Sequence, residues 1–131
     1  MVGMVRIENR VIIAATVERI WNAVEPLSNL KNLMPGIVDT HVSGRPKGVG
    51  MKLLLTTTDN SHYEAKVVEF NPRRDLTIRE PDGRQSKWHF EQTPRGVLAI
   101  NIITGDIPAD RVVQLKKDAL EKMIRLKERV E

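Results

Sequence analysis

The order of its periodic segments constrains the fold of this chain more than any other feature. Residues Arg6 to Ala14 alternate charged and apolar side chains, as a half-buried strand does. The stretch from Glu18 to Ser43 then places a short amphipathic helix, a second apolar turn, a Met34-Pro35-Gly36 break and a strand one after another. The pattern therefore predicts a strand, two short helices and a second strand.

The two short helices are predicted from a cap and from apolar spacing. The hydroxyl of Thr16 can cap the first helix, Glu18 favours its first turn by opposing the helix dipole, and Pro26 ends it. The apolar positions of the first helix are Val17, Ile20, Trp21 and Val24, and those of the second are Leu27, Leu30, Leu33 and Met34. Both helices therefore connect the first strand to the second.

From Ile37 onward the turn residues are those of an antiparallel meander, beginning with a predicted turn from Gly44 to Gly50. The predicted strands are Ile37 to Ser43, Met51 to Thr58, His62 to Phe70, Leu76 to Glu80, Ser86 to Gln92 and Val97 to Thr104. Alternating apolar residues give these strands one buried face. With the first strand, the sheet is predicted to have seven strands.

A long amphipathic helix follows the last strand. Asp106 can cap it, and Pro108 fits its first turn because the missing N–H is not needed there. About 24 residues would span about 36 Å, enough to cross a sheet that strand twist curves. Its apolar stripe is predicted to contain Val112, Leu115, Ala119, Met123, Leu126 and Val130, widened by Val113, Leu120 and Ile124.

Composition excludes several classes of protein. The 131 residues fit one domain with one core. Without cysteine there is no disulfide, thiolate nucleophile or cysteine-bound metal, which favours a cytoplasmic protein. Every apolar run is shorter than the roughly 18 residues that span a bilayer, so we expect no stable membrane insertion.

The chain is similar to a known superfamily over nearly its whole length. The similarity lies in residues Ala15 to Trp21, in Gly48 and Gly50, in Val67 to Pro72, and in Leu126-Lys127-Glu128. Their order resembles the START-related, polyketide cyclase and lipid transfer (SRPBCC) superfamily. The resemblance implies an α+β helix-grip fold, in which a seven-stranded curved antiparallel sheet wraps around a long C-terminal helix, with two short helices between strands 1 and 2.

Within that superfamily, Leu30 to Val38 is most similar to the carbon monoxide dehydrogenase G-subunit branch. The resemblance implies that residues 1–131 form a single START-like domain that binds a small hydrophobic or lipid-like molecule between sheet and helix. The candidate cavity residues are Leu33, Met34, Ile37, Met51, Leu53, Tyr63, Trp88, Phe90, Leu98, Ile100, Met123 and Leu126. Each of them also fits a plain core position.

Polar side chains aimed inward would indicate a specific ligand, because an unpaired buried polar group costs about 1 to 3 kcal/mol. Tyr63 is the best candidate, since its phenol can orient a carbonyl or a hydroxyl. Asn9 and Asn101 lie in apolar strands, but a single bulge would reverse their faces. Arg79 can pair with an acidic head group at a strand end.

The sequence predicts no metal, no cofactor and no assigned catalytic residue. His41, His62 and His89 lie on separate strands without the spacing of metal ligands. No serine lies in a nucleophile elbow, and no glycine-rich loop ends as a phosphate-binding loop does.

Three functions remain open at this stage. A non-enzymatic carrier or sensor of a hydrophobic ligand ranks first, and a cyclase or dehydratase-type enzyme or an accessory protein similar to the carbon monoxide dehydrogenase G-subunit are the alternatives. No nucleic-acid partner is expected at a net charge of +4, because the basic residues of the last helix, including Lys122, alternate with acidic ones on a solvated face. A homodimer through Arg84 to Gln92 and its turn is a further hypothesis.

Overall fold

The structure is a computed structural model, and it describes residues 3–25, 27–43 and 48–131. Pro26, predicted to end the first helix, and residues 44–47 of the predicted turn lie outside the described residues. The elements are β1 (Gly3–Ile13), α1 (Val17–Val24), a 3-10 turn (Leu27–Asn29), α2 (Leu30–Leu33), β2 (Ile37–Ser43), β3 (Lys52–Thr57), β4 (His62–Asn71), β5 (Asp75–Arg79), β6 (Gln85–Thr93), β7 (Gly96–Ile107) and α3 (Ala109–Val130). The predicted order of elements and the helix-grip fold are confirmed.

The described strands form one curved antiparallel sheet in the order β1-β7-β6-β5-β4-β3-β2. Strands β2 to β7 follow each other as a meander, and β1 pairs with β7 from Gly3 opposite Ile107 to Ile13 opposite Val97. Strands β1 and β2 are therefore the two edges. Strand β6, where a dimer contact was predicted, lies between β5 and β7, so both of its edges are already hydrogen-bonded.

The first helix begins and packs as its sequence indicates. The hydroxyl of Thr16 accepts a hydrogen bond from the backbone N–H of Arg19 at 3.2 Å, which satisfies one of the free amides of the first turn. Trp21 packs edge-on against Phe70 and Phe90, with ring centroids 5.6 and 6.3 Å apart. These contacts fix α1 on the concave face of the sheet.

Helix α3 packs against β1, β7, α1 and α2, and two apolar clusters result. The larger cluster contains the end of α3, with Met123, Leu126 and Val130, beneath α1 and α2. The smaller cluster joins Ile107 of β7 to Ala119 in the middle of α3. The sheet and α3 are therefore held together at two separate places.

The start of α3 differs from the prediction. Asp106 does not cap the helix, because it is an exposed residue of β7 opposite Met4. Strand β7 continues beyond the predicted end at Thr104 because β1 pairs with it as far as Ile107. Pro108 is the N-cap residue and makes no side-chain cap.

The predicted widening of the α3 stripe is wrong. Val113, Leu120 and Ile124 are 65%, 52% and 47% exposed. The opposite margin of the stripe is buried instead and carries Lys122, which is 6% exposed. A lysine predicted to lie on the solvated face therefore lies inside the protein.

Candidate ligand-binding site

A cavity of about 120 Å³ separates the two apolar clusters beneath the first half of α3. Half-buried residues such as Pro35 and Asp118 form its rim, so the cavity opens to solvent there. It is lined by Met34, Pro35, Ile37, Tyr63, Glu80, Arg84, Ser86, Ile103, Leu115, Asp118, Ala119 and Lys122.

Lys122 is held at the cavity wall by contacts with β6. Its Nζ donates a hydrogen bond to Ser86 Oγ at 3.2 Å and lies 5.4 Å from the ring centroid of Trp88. Asn101, on β7, also donates from Nδ2 to Ser86 Oγ at 3.4 Å. Burial lowers the pKa of Lys122 to about 8, although the negative charge of Glu80 opposes the change. A neutral amine is therefore accessible near neutral pH.

Glu80 brings a buried carboxyl group to the same cavity. It directly follows β5, and its backbone N–H donates to the carbonyl oxygen of Arg84 at 2.7 Å across the Pro81-Asp82-Gly83 turn. One carboxylate oxygen, Oε1, lies 3.9 Å from the Arg84 guanidinium. The other, Oε2, is buried and has no hydrogen-bond partner among the described residues.

The environment of Glu80 raises the pKa of its carboxyl above the ordinary value. Burial raises the pKa of Glu80 more than the positive charges of Arg84 and Lys122 lower it, and the charge of Asp82 adds to the increase. Burial, followed by the charge of Glu80, also raises the pKa of Tyr63. The cavity therefore combines a phenol, a carboxyl with a raised pKa and an amine with a lowered pKa.

The twelve predicted cavity residues divide into three groups. Met34, Ile37 and Tyr63 line the cavity. Leu98 and Ile100 lie on the opposite, convex face of the sheet, because Val97 and Ala99 are the β7 residues packed into the larger cluster. The other seven are buried in that cluster: Leu33, Met51, Leu53, Trp88, Phe90, Met123 and Leu126. Strand β7 carries apolar residues on both faces, so alternation alone did not distinguish them.

The other predicted polar candidates are spread over the sheet. Asn9 and Asn101 lie opposite each other on the helix-facing side of β1 and β7. Asn9 Nδ2 and Asn101 Oδ1 are both buried without a hydrogen-bond partner in the part of the chain that the structure describes. Arg79 is exposed on the convex face, away from the cavity.

His89 also lies on the convex face. Its Nδ1 is 2.6 Å from Asp75 Oδ1 and its Nε2 is 2.9 Å from Glu91 Oε1. Within residues 3–25, 27–43 and 48–131, no group of three or more His, Cys, Asp or Glu side chains is arranged to hold a metal ion.

Sequence reasoning missed Lys122, Glu80, Arg84 and Ser86 as cavity residues. The signal for Lys122 was present, since it follows Ala119 by three residues and precedes Leu126 by four, which places all three on one helix face. Glu80 was taken as the last residue of a strand. Nothing local shows that the turn after it folds beneath a distant helix.

A long helix across a curved antiparallel sheet, with a lined cavity between them, defines the helix-grip class of ligand-binding proteins. The chain belongs to the family described as polyketide cyclase / dehydrase and lipid transport, whose model matches residues 4–128. This confirms the superfamily resemblance and supports a ligand-binding role. None of the comparisons supports the carbon monoxide dehydrogenase G-subunit branch in particular, which stays a prediction.

Solved structures share the fold at low sequence identity. The di-domain ARO/CYC protein StfQ from the steffimycin biosynthetic pathway has a TM-score of 0.80 at 14% identity, covering 97% of this chain and 50% of that one. The Aha1 dimer from Colwellia psychrerythraea has a TM-score of 0.77 at 17% identity, over 97% and 96% of the two chains. Ara h 8.0201 has a TM-score of 0.74 at 19% identity, over 98% of each chain.

At these identities the likeness shows the fold alone. The chain spans half the length of the di-domain protein StfQ. A comparison with curated proteins finds no match. Of the helices that the structure describes, none is long and apolar enough to cross a membrane.

Proposed function

We propose that residues 1–131 form a START-like domain that binds, without catalysing a reaction, a small and largely apolar molecule in the cavity beneath α3. The observation that carries the proposal is the gap between the two apolar clusters, where apolar side chains surround a few polar ones. Ligand sites combine an apolar lining with a small number of polar groups that fix the orientation of the ligand.

The size of the cavity limits the ligand. Its volume of about 120 Å³ is well below the roughly 300 to 1,000 Å³ of sites for drug-sized molecules. A small molecule fits inside, whereas a longer one enters by one end and leaves its remainder at the rim beside Met34, Pro35 and Ile37. A lipid-like ligand is therefore bound by one end.

The polar groups indicate what that end carries. Glu80 Oε2 needs a hydrogen-bond donor, and the Lys122 amine has N–H groups beyond the one given to Ser86. A ligand hydroxyl meets both needs, because it can donate to the Glu80 carboxyl and accept from the Lys122 amine, whereas a ligand carbonyl can only accept from the amine. Leaving a buried polar atom unpaired costs about 1 to 3 kcal/mol. We expect an apolar body with one oxygen-bearing end.

A thermal-shift assay with fatty acids, isoprenoids and aromatic polyketides tests the proposal. A ligand present at 100 times its Kd stabilises the folded state by about 2.7 kcal/mol, so the melting temperature rises with ligand concentration. Ala119→Phe fills the cavity from α3 and should abolish the rise. Val113→Phe, on the exposed side of the same helix, is the matched control and should retain it.

Two results would contradict the proposal. One is a complete ligand panel that leaves the melting temperature unchanged. The other is an Ala119→Phe variant that folds, as shown by circular dichroism, and still binds the ligand as the wild type does.

A cyclase or dehydratase-type enzyme is the second candidate, favoured by the buried Glu80 carboxyl and Lys122 amine on one cavity. General acid and base groups contribute about 10² to 10⁴ in rate. If a linear poly-β-ketone is cyclised, Glu80→Gln and Lys122→Met should each slow product formation at least tenfold, measured by mass spectrometry. Unchanged rates in both variants would reject this candidate.

A further inference from the structure

Lys122 differs from an ordinary helix-surface lysine in position and in partners. It is the one lysine among the described buried residues, and its Nζ is fixed at the cavity wall by Ser86 Oγ at 3.2 Å. The face of Trp88 covers it at 5.4 Å. The amine is therefore ordered, shielded from bulk water and open to whatever occupies the cavity.

A buried amine of this kind is a nucleophile. Loss of solvation disfavours the ammonium form, and the neutral amine can attack a carbonyl carbon. The positive charge of Arg84 acts in the same direction, while Glu80 and Asp118 act against it. These three groups and Lys122 all line the cavity.

Glu80 supplies the second group that carbonyl addition requires. Its buried Oε2 has no hydrogen-bond partner in the described structure, and burial raises the pKa of the carboxyl above its ordinary value. A carboxylic acid that lines the same cavity as the amine can protonate a departing hydroxyl group. The structure thus places a nucleophile and an acid against the same small, partly apolar space.

We propose that Lys122 forms a reversible imine with a small aldehyde or ketone held in the cavity. This inference rests on the ligand site of the proposed function and specifies its ligand class. The neutral amine adds to the carbonyl carbon to give a carbinolamine. Glu80 donates a proton to the carbinolamine hydroxyl, the C–O bond breaks and water leaves. The nitrogen then returns its proton to the Glu80 carboxylate, and a C=N bond remains.

The overall change converts one amine and one carbonyl group into one imine and one water, with no oxidation or reduction. Addition of water reverses it, so the ligand can be released unchanged. The volume of about 120 Å³ favours a short or single-ring carbonyl compound over a long-chain one.

Reductive trapping tests the inference directly. The protein is incubated with limiting benzaldehyde or butanal at pH 7.5, reduced with sodium cyanoborohydride and mapped by peptide mass spectrometry. We expect labelling at Lys122 to exceed that at Lys116 and Lys117, which are exposed on the same helix, by at least tenfold. Equal labelling of these lysines, or an unlabelled Lys122, would overturn the inference.

Two variants separate the roles of the amine and the acid. Lys122→Met retains a long side chain without the amine, and the labelled product at this site should disappear while Lys116 labelling is unchanged. Glu80→Gln retains the shape and removes the acid, and the rate of trapping should fall at least tenfold. A Glu80→Gln variant that is trapped as fast as the wild type would contradict the role given to the carboxyl.

Analogues without an aldehyde or ketone group distinguish failure of this inference from failure of the proposed function. Benzyl alcohol and benzoate match benzaldehyde in size but cannot form an imine. If either raises the melting temperature while benzaldehyde is not trapped at Lys122, the cavity binds ligands and the imine proposal is wrong. If no analogue raises the melting temperature and nothing is trapped, both proposals are wrong.

Discussion

At the scale of single residues, the main feature of this protein is a pair of buried ionisable side chains, Lys122 and Glu80. Lys122 and Glu80 are 6% and 7% exposed. Burial lowers the pKa of Lys122 and raises the pKa of Glu80. A charged group without full compensation in the interior costs stability, so such residues are expected where they serve a function. The cost is measurable through the pH dependence of unfolding.

Wild-type stability should increase, relative to Lys122→Met, as the pH rises from about 8 to 10.5. The folded-state pKa of Lys122 is about 8 against an ordinary value of 10.5, so the unfolded chain binds more protons in this range and the folded state gains as the proton is lost. The gain is about 3 kcal/mol at most. Urea unfolding of both proteins at pH 7, 9 and 10.5 measures it, and a constant difference would contradict the prediction.

His89 should titrate at a lower pH when Asp75 is replaced. Hydrogen bonding to Asp75, followed by that to Glu91, raises the pKa of His89. These two hydrogen bonds therefore stabilise the folded protein below the ordinary histidine pKa. Their contribution is lost as the pH rises through the pKa of His89 in the folded state. NMR titration should show a lower pKa of His89 in Asp75→Asn and a smaller decrease in Glu91→Gln.

At the scale of elements, register and bulges decide which side chains reach the interior. In β2 the pairing shifts between Ile37 and Asp39, so that Ile37 and Thr40 both face the helix side although their numbers differ in parity. A similar shift in β4 between Val67 and Glu69 lets Phe70 join Trp21. Alternation predicts a strand well and its inward face poorly once a bulge occurs.

The two margins of α3 should respond differently to substitution. Leu126→Ala removes a fully buried side chain and should lower the free energy of unfolding by about 2 to 5 kcal/mol. Leu120→Gln replaces an exposed side chain and should change it by less than about 0.5 kcal/mol. Chemical denaturation measures both, and a large loss in Leu120→Gln would show that this margin is covered in solution.

Gly96, which opens β7, should tolerate alanine less well than Gly83. Both glycines have positive φ, +134° and +90°, which strains an L-residue. A Cβ at Gly96 would also lie 2.5 Å from the carbonyl oxygen of Ile13 in β1, whereas one at Gly83 meets nothing within 4 Å. We expect Gly96→Ala to cost about 1 to 3 kcal/mol more than Gly83→Ala in urea unfolding. Equal losses would show that β1 moves away at little cost.

On the scale of the whole molecule, the end of α3 is tied to β1, which is one edge of the sheet. Lys127 Nζ donates to the carbonyl oxygen of Ile12 at 3.1 Å, and Glu131 accepts from the backbone N–H of Ala14 at 2.9 Å. Strand β7 and α3 contribute to both apolar clusters. The helix and the sheet are therefore expected to unfold together.

The helical circular dichroism signal and the tryptophan fluorescence signal should change in a single urea-unfolding transition. Trp21 and Trp88 report on the larger cluster by fluorescence, and α3 dominates the helical circular dichroism. Coincident midpoints in urea would show two-state unfolding, as is usual for domains of this size. A helical signal that persists after the fluorescence change would show that α3 is stable apart from the sheet.

Much of the fold was predictable because its determinants are local. Alternation over Arg6 to Ala14, turn residues between strands and helical spacing up to Val130 depend only on near neighbours in the chain. These signals gave seven strands, two short helices and a long final helix. The short β2 was predicted with its observed bounds, Ile37–Ser43.

The site depended on contacts that no local pattern contains. The cavity brings Tyr63, Glu80 and Lys122 together from a strand, a turn and a helix that are far apart in sequence. Whether Lys122 is buried or solvated is decided by which margin of α3 meets the sheet, where Lys122 contacts Ser86 and Trp88 of β6. The sequence by itself determined the elements and their order. Only the tertiary structure decided which ionisable side chains are desolvated, because desolvation comes from neighbours that are distant along the chain.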